Sequence, residues 1–245
     1  MKVLLLDCET SPNTAYVWGL FKQNISLDKI IDTSSLLCWS AKWLGNEETM
    51  FSSVQQNTIY QMLADIHSLL NEADVVITYN GNKFDIPILN KEFILHGMPP
   101  PAPYKSIDLY RVGKQQFKFT SHKLDHIAQQ LGVGQKKETN FQLWIDCMNK
   151  VPEAWEKMTA YNKQDVILLE KVYNKLLPWI KNHPNQNLFT NGKHVCPNCG
   201  ENHLHKRGVS YTIAGQYQRY QCTSCGAWSR DVKKNPLTLA IKGAA

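Results

Sequence analysis

The spacing of apolar residues along the chain switches repeatedly between a strand-like and a helix-like period. Lys2–Leu6 is a short apolar run ending at Asp7, the pattern of a buried strand. Tyr16–Leu20 and Leu36–Leu44, rich in apolar and aromatic residues, predict two more strands, and Glu48–Ser52 a further one. At Ile59 the period lengthens: Ile59, Met62, Leu63, Ile66, Leu69 and Leu70 fall at helical intervals, and a strand follows at Asp74–Tyr79. Phe84–His96 is again helical, with Pro87 in the first turn, where its missing N–H costs little. Gly97 and prolines 99–101 stop that helix. Ser106–Tyr110 predicts a short strand, Leu124–Leu131 a helix closed by Gly132, and Pro152–Leu177 a long helix with Pro178 near its end.

Strands first, then alternating helices and strands, predict an α/β fold around a mixed sheet. The stretch Asn182–Gly192, polar and rich in Asn, Pro and Gly, is the natural linker. The expected organisation is a main domain at 1–181, a linker at 182–192, a small domain at 193–232 and a basic tail at 233–245. The run Met1–Leu6 is too short for a secretory segment before Asp7 and Glu9 interrupt it. No stretch reaches the roughly 20 apolar residues of a membrane span. The expectation is a soluble, cytoplasmic protein with no membrane partner.

Charge and cysteine change the picture of the last 53 residues. From Lys193 onward there are eight basic residues and two acidic ones, which accounts for the whole net charge of +6. An excess confined to one end points to an anionic partner, nucleic acid or a membrane surface. The same segment holds four of the seven cysteines, as Cys196-Pro-Asn-Cys199-Gly200 and Cys222-Thr-Ser-Cys225-Gly226. Four thiolates at this spacing predict a closed tetrahedral zinc site with a structural role. The glycines permit the tight turn behind each pair, and Val209–Ile213 with Gln216–Gln221 predict a hairpin turning at Ala214-Gly215. Lys206, Arg207 and Arg219, interleaved with Tyr211, Tyr217, Tyr220 and Trp228, suit phosphate contact and base stacking. A core-packing role for the aromatics and a protein-docking role for the ribbon both remain open. Cys8, Cys38 and Cys147, single and in apolar contexts, are expected to be small core residues.

Three acidic elements carry the candidate chemistry. Asp7 and Glu9 sit two apart on a strand, so both carboxylates project from one face. Asp85 ends the segment Tyr79-Asn80-Gly81-Asn82-Lys83-Phe84-Asp85 at a strand-to-helix junction, where α/β folds place their sites. Tyr161 and Asp165 are four apart on the long helix and share a face. Asp108, at the end of a short strand, fits none of the three and is expected to be structural.

In this order, D-x-E, N-x-x-x-F-D and Y-x-x-x-D resemble the DEDDy exonucleases of the DnaQ-like, ribonuclease H-like superfamily. The segment NGNKFDIPIL is particularly similar to the proofreading domain of family B DNA polymerases, and the resemblance covers about Met1 to Leu177. It implies a ribonuclease H-like mixed sheet flanked by helices, with the zinc ribbon added at the C-terminal end. It also implies a 3′→5′ exonuclease acting on DNA, single-stranded 3′ ends preferred, with two Mg²⁺ or Mn²⁺ ions. Asp7, Glu9 and Asp165 are then assigned to the tightly held ion. Asp7 bridges to a second, which Asp85 supports directly or through water, and Asn80 and Phe84 contact the substrate strand. Paired ions at such sites, about 3.5–4 Å apart, activate water and stabilise a leaving oxygen. A phenol is a poor base near neutral pH, so Tyr161 is expected to orient the water. With no polymerase domain after Leu177, the expectation is a stand-alone enzyme, of a kind that occurs in bacteriophages, and DNA replication (proofreading), recombination, DNA repair and degradation of host nucleic acid are all compatible with it. Two alternatives stay open: an exoribonuclease on the same fold, and a non-catalytic nucleic-acid-binding adapter. The ribbon in turn is expected to hold nucleic acid or to dock a replication or repair protein.

Overall fold

The computed structural model describes residues 1–190, 194–213, 215–233 and 235. The chain forms two compact units, Lys2–Tyr173 and Asn174–Ala245, Met1 being grouped with the second. The larger unit is built on a five-stranded mixed sheet. Strands β1 (Val3–Thr10), β4 (Leu36–Trp43) and β5 (Met50–Ser53) form an antiparallel series, while β6 (Val75–Thr78) and β7 (Lys105–Asp108) extend it in parallel, in the order β5-β4-β1-β6-β7. Helix α1 (Ile59–Glu72) carries the chain from β5 to β6, and α2 (Asp85–Leu95) carries it from β6 to β7. Helices α3 (Leu109–Gln116), α4 (Leu124–Gln130), α5 (Gln142–Met148) and α6 (Pro152–Leu176) follow. This is the mixed α/β sheet that the apolar pattern predicts, flanked by helices as the family resemblance implies.

Strand parity decides what each helix layer buries. Leu4, Leu6 and Cys8 of β1 join Trp39 and Ala41 of β4 in a core filled by Met62, Leu63, Ile66 and Leu70 of α1 and by Leu89 and Phe93 of α2. The alternate residues face the other way. On that side Cys38, joined by Leu37 where the β1–β4 register shifts, packs with Leu143 and Cys147 of α5 and with Trp155, Met158 and Tyr161 of α6. Asp7 and Glu9, out of step with Leu4, Leu6 and Cys8, pair with Ser40 and Cys38 and share the face that α6 covers. The three single cysteines are all buried, as expected.

Several boundaries differ from the sequence reading. β1 runs on past Asp7 and Glu9 to Thr10, because its pairing with β4 continues to Leu36. Tyr16–Leu20 is not a strand. Pairing in this loop is confined to β2 (Thr14–Ala15) with β3 (Ile30–Asp32), and Tyr16, Trp18 and Leu20 are 75%, 95% and 86% exposed. Strand propensity describes fitness for a pleated, half-buried surface, and here no neighbouring strand supplies one. The strand expected at Ser106–Tyr110 stops at Asp108, whose carboxylate caps α3 by accepting the Tyr110 N–H at 3.0 Å.

The turn after β6 is fixed by contact and by capping. The Asp108 carboxylate also accepts the N–H of Asn80 at 2.8 Å and of Asn82 at 3.4 Å, holding Asn80 at a φ of 65°. A Cβ on Gly81 would lie 2.4 Å from Thr78 Cβ and Oγ1. Gly81→Ala is therefore expected to overpack this turn and cost roughly 1–3 kcal/mol, measured by urea unfolding. Wild-type stability in that variant contradicts the close approach.

In the second unit β8 (Leu204–Thr212), β9 (Gly215–Cys222) and β10 (Trp228–Arg230) form a three-stranded antiparallel sheet in the order β10-β9-β8. The predicted hairpin is present but longer, and Ala214 of its turn lies outside the described residues. So do Asn191 and Gly192 of the expected linker, Lys193, and all of the expected basic tail except Lys233 and Asn235. Ahead of the sheet, the Asn187 side chain bonds to the Val195 N–H and C=O at 2.9 and 2.8 Å. No helix among the described residues is long and apolar enough to cross a membrane.

Candidate active site

Asp7 and Glu9 from β1 and Asp165 from α6 converge, each offering an oxygen within 4.8 Å of the others. Neighbouring side chains hold them in place. Asn162, fully buried one helical turn before Asp165, donates its Nδ2–H to Asp7 Oδ2 at 2.7 Å. Trp144 of α5 donates its indole N–H to Glu9 Oε2 at 3.2 Å. Lys136, in the connection between α4 and α5, places its ammonium 2.6 Å from Asp165 Oδ2 and donates to Tyr161 Oη at 3.0 Å. The Tyr161 ring is clamped between the Lys136 ammonium, 5.1 Å from its centroid, and an edge-on Trp144 at 5.9 Å.

Asp85 lies outside this trio. Pairing of β1 with β6 ends at Leu5↔Ile77, and beyond it the Cys8 N–H donates to Asp85 Oδ1 at 2.8 Å. Asp85 thus approaches from the β6 side, close enough to be the leading charge acting on Asp7 after burial itself.

The electrostatics are those of a site short of positive charge. Burial, then the charges of Asp85, Glu9 and Asp165, hold the Asp7 carboxyl well above its ordinary range. Burial pushes Glu9 up to about 7 against the opposing pull of Lys136, and it pushes Asp85 to about 7 as well. Asp165 is also raised by burial, with Lys136 and Tyr161 working against the rise. Burial lowers Lys136, but Asp165 and Tyr161 outweigh it and hold the ammonium above its usual range. Carboxylates raised in the fold contribute stability only at low pH, and that contribution is lost as pH climbs toward 7. One ammonium facing this many desolvated carboxylates leaves a deficit that a divalent cation could fill, and the chemistry of an oxygen-only donor set suits a hard cation such as Mg²⁺ or Mn²⁺.

Two clefts flank the cluster. One, of about 560 Å³, is lined by Asp7, Lys136, Tyr79, Asn80, Tyr110 and His122. The other, of about 780 Å³, is lined by Tyr161, Asn140, Gln142 and Lys157. Asn80 is half-buried in the first, while Phe84 is 41% exposed beside Asp85 and outside both apolar cores.

The four ribbon cysteines meet in a second cluster. Cys196 and Cys225 Sγ are 3.7 Å apart, as are those of Cys199 and Cys222. A tetrahedron with Zn–S bonds of about 2.3 Å has edges of about 3.8 Å, whereas a disulfide needs sulfurs about 2.05 Å apart. Both knuckles close alike: the Gly200 N–H donates to Cys196 O and the Gly226 N–H to Cys222 O, each at 2.9 Å, with φ of 80° and 83°. Burial pushes the Cys222 thiol up, but the N–H groups of Cys225 and Ser224 outweigh it and bring it to about 7. The cluster fits a zinc ribbon. Lys206, Arg207 and Arg219 are all exposed on its sheet.

Lys136, Asn162 and Trp144 are absent from the sequence reading. Asn162 alone carried a signal, three residues before Asp165 and so on its face of the helix.

This fold, with carboxylates gathered on the central strand and the last helix, defines the chain's class. A sequence profile of the RNase H superfamily matches residues 36–177, and the chain belongs to that superfamily. The matched span contains Asp85, Tyr161 and Asp165, and Asp7 and Glu9 precede it. Among solved structures, the family B DNA polymerase from the hyperthermophilic archaeon Pyrobaculum calidifontis is similar, with a TM-score of 0.57 and 17% identity over 72% of this chain. The match spans 24% of the polymerase chain, and at that identity the likeness is one of fold. Comparison with curated proteins found no match.

Proposed function

We propose that the chain is a DEDDy-type 3′→5′ exonuclease that hydrolyses phosphodiester bonds at the 3′ end of DNA, preferring single strands. The convergence of Asp7, Glu9 and Asp165 beside Tyr161 carries this reading. The three carboxylates would hold one divalent cation, and Asp7 with Asp85 a second. Such cations supply Lewis acidity and lower the pKa of a bound water.

The chain's own groups do the positioning. Asn162 and Trp144 set the carboxylates of Asp7 and Glu9 by hydrogen bonds. Burial, then the charge of Asp165, push the Tyr161 phenol up to about 12, so it keeps its proton at neutral pH. It therefore acts as a fixed hydrogen-bonding group that orients water or a phosphate oxygen rather than as a base. Lys136 anchors that phenol and neutralises part of the charge on Asp165. Asn80 lines the cleft beside Asp7, and the exposed Phe84 offers a ring to a nucleotide base. The fold likeness to a DNA polymerase favours DNA over RNA and a place in replication or repair. The ribbon, structured by one zinc ion, adds Lys206, Arg207 and Arg219 for nucleic acid.

Tyr161→Phe keeps the ring between Lys136 and Trp144 and removes only the hydroxyl. Turnover should fall roughly 10- to 100-fold, the cost of misplacing a reacting group. Calorimetric titration with Mn²⁺ should show uptake preserved in this variant and lost in Asp7→Ala. Wild-type turnover removes Tyr161 from the mechanism; Mn²⁺ uptake unchanged in Asp7→Ala contradicts the metal assignment.

A further inference from the structure

One face of the ribbon sheet carries a feature that zinc binding leaves unused. β9 and β10 pair Trp228 with Gln221 and Arg230 with Arg219, so Tyr217, Arg219, Trp228 and Arg230 all project from the same side. The two arginines stand directly opposite one another, a placement of like charges that destabilises a strand pair. Among the described residues no carboxylate pairs with either. Asp231 serves the opposite face, where its Oδ2 accepts the Tyr220 hydroxyl at 3.2 Å.

The arginines are held apart by aromatic rings on the two diagonals. The Arg219 guanidinium lies 4.7 Å from the centroid of Trp228, and that of Arg230 lies 4.1 Å from Tyr217. A bulge in β8 fixes the first stack. Register shifts between Lys206 and Val209, Gly208 takes a φ of 71°, and the Arg207 carbonyl accepts Arg219 Nε–H at 2.9 Å. Arg219 and Arg230 are both exposed residues, and Trp228 is 52% exposed.

We infer that this face is a binding platform for single-stranded nucleic acid: Arg219 and Arg230 take backbone phosphates, and Trp228 and Tyr217 stack on unpaired bases. The paired like charges call for a polyanion, and the half-open rings beside them call for flat apolar faces. A single strand has both, while a duplex hides its base faces within its own stack. A zinc-ribbon docking site for an acidic protein would use the charges and leave the exposed surface of the rings unused. The inference rests on the reading of the ribbon as a nucleic-acid arm and is independent of the carboxylate cluster.

The test uses the full chain carrying Asp165→Asn to prevent hydrolysis, with zinc content measured for every variant. Fluorescence anisotropy follows binding of labelled DNA and RNA strands about twenty nucleotides long, an abasic strand and a duplex of equal length. Arg219→Gln with Arg230→Gln should weaken single-strand binding at least about tenfold and flatten the salt dependence by about 1.4, two phosphates at about 0.7 each. Arg219→Lys with Arg230→Lys should keep the salt slope, which separates charge from misfolding. Trp228→Ala should weaken base-bearing strands about tenfold and leave the abasic strand unaffected. DNA and RNA strands should both bind, since phosphates and ring faces are common to them. Unchanged affinity in the double Gln variant overturns the proposal and leaves the face to a protein partner. A duplex bound as tightly as the single strand, or an abasic strand weakened equally by Trp228→Ala, overturns it too. Binding of this kind together with a wild-type chain (Asp165 intact) that never hydrolyses its strand with Mg²⁺ sinks only the nuclease reading.

Discussion

Asp165→Asn should cut hydrolysis by roughly 10³-fold or more while leaving the fold at close to its original stability. The loss follows from position: Asp165 is buried and is the sole carboxylate that α6 brings to Asp7 and Glu9. An amide of the same shape removes a charged oxygen from the proposed ligand set and should weaken the hold on a divalent cation, whose Lewis acidity drives metal-assisted hydrolysis. The fold is spared because two effects oppose. The substitution takes one charge away from a crowd of desolvated carboxylates, but leaves the half-exposed Lys136 ammonium without its partner. The melting temperature should therefore move by no more than about 4 °C, or about 1 kcal/mol. Kinetics on a labelled strand and calorimetric melting check the two halves separately. A variant that unfolds places Asp165 in the architecture, and one that retains activity removes it from the site.

Zinc removal should have a comparably large effect, confined to the second unit. The buried cluster of the ribbon consists of Cys196, Cys222 and Ala227, with Cys199, Leu204 and Cys225 packed around it, so four of its six members are the proposed zinc ligands. A core this small does not hold three strands together without a staple. Structural zinc binding supplies about 10–16 kcal/mol in comparable sites. Cys222→Ser, or stripping with a strong chelator, should abolish hydrogen-exchange protection across β8–β10 while Val3–Thr10 and Leu36–Trp43 stay protected. Unchanged protection of β8 and β9 in zinc-free protein contradicts the structural role.

What the sequence made legible follows from periodicity. Asp7 and Glu9 are two apart on a strand, and Tyr161 and Asp165 are four apart on a helix, so each pair announces a shared face before any tertiary structure is known. The burial pattern of β1 and the apolar spacing of α1 likewise specify which side meets the core. Lys136 was out of reach for a physical reason. It stands in the polar run Gly134–Asn140, whose composition looks solvated, and only the path between α4 and α5 brings its ammonium to Asp165. Trp144 was missed with its helix: no side chain caps α5 and no glycine closes it, whereas Gly132 closes the equally short α4. Tyr16–Leu20 failed in the opposite way, with strand propensity present and no neighbouring strand to pair with it. On the ribbon, composition marked cations and aromatics, but only strand register shows that Arg219 and Arg230 oppose each other.

The decisive measurement is a time course on 5′-labelled single-stranded DNA with Mg²⁺, alongside duplex DNA, RNA, an EDTA control and the Asp165→Asn protein. The predicted result is a ladder that shortens one nucleotide at a time from the 3′ end, fastest on single-stranded DNA and absent with EDTA and in the variant. Internal cuts, or shortening that persists in EDTA, would contradict the assignment of Asp7, Glu9 and Asp165 as the centre of a metal-dependent 3′→5′ exonuclease.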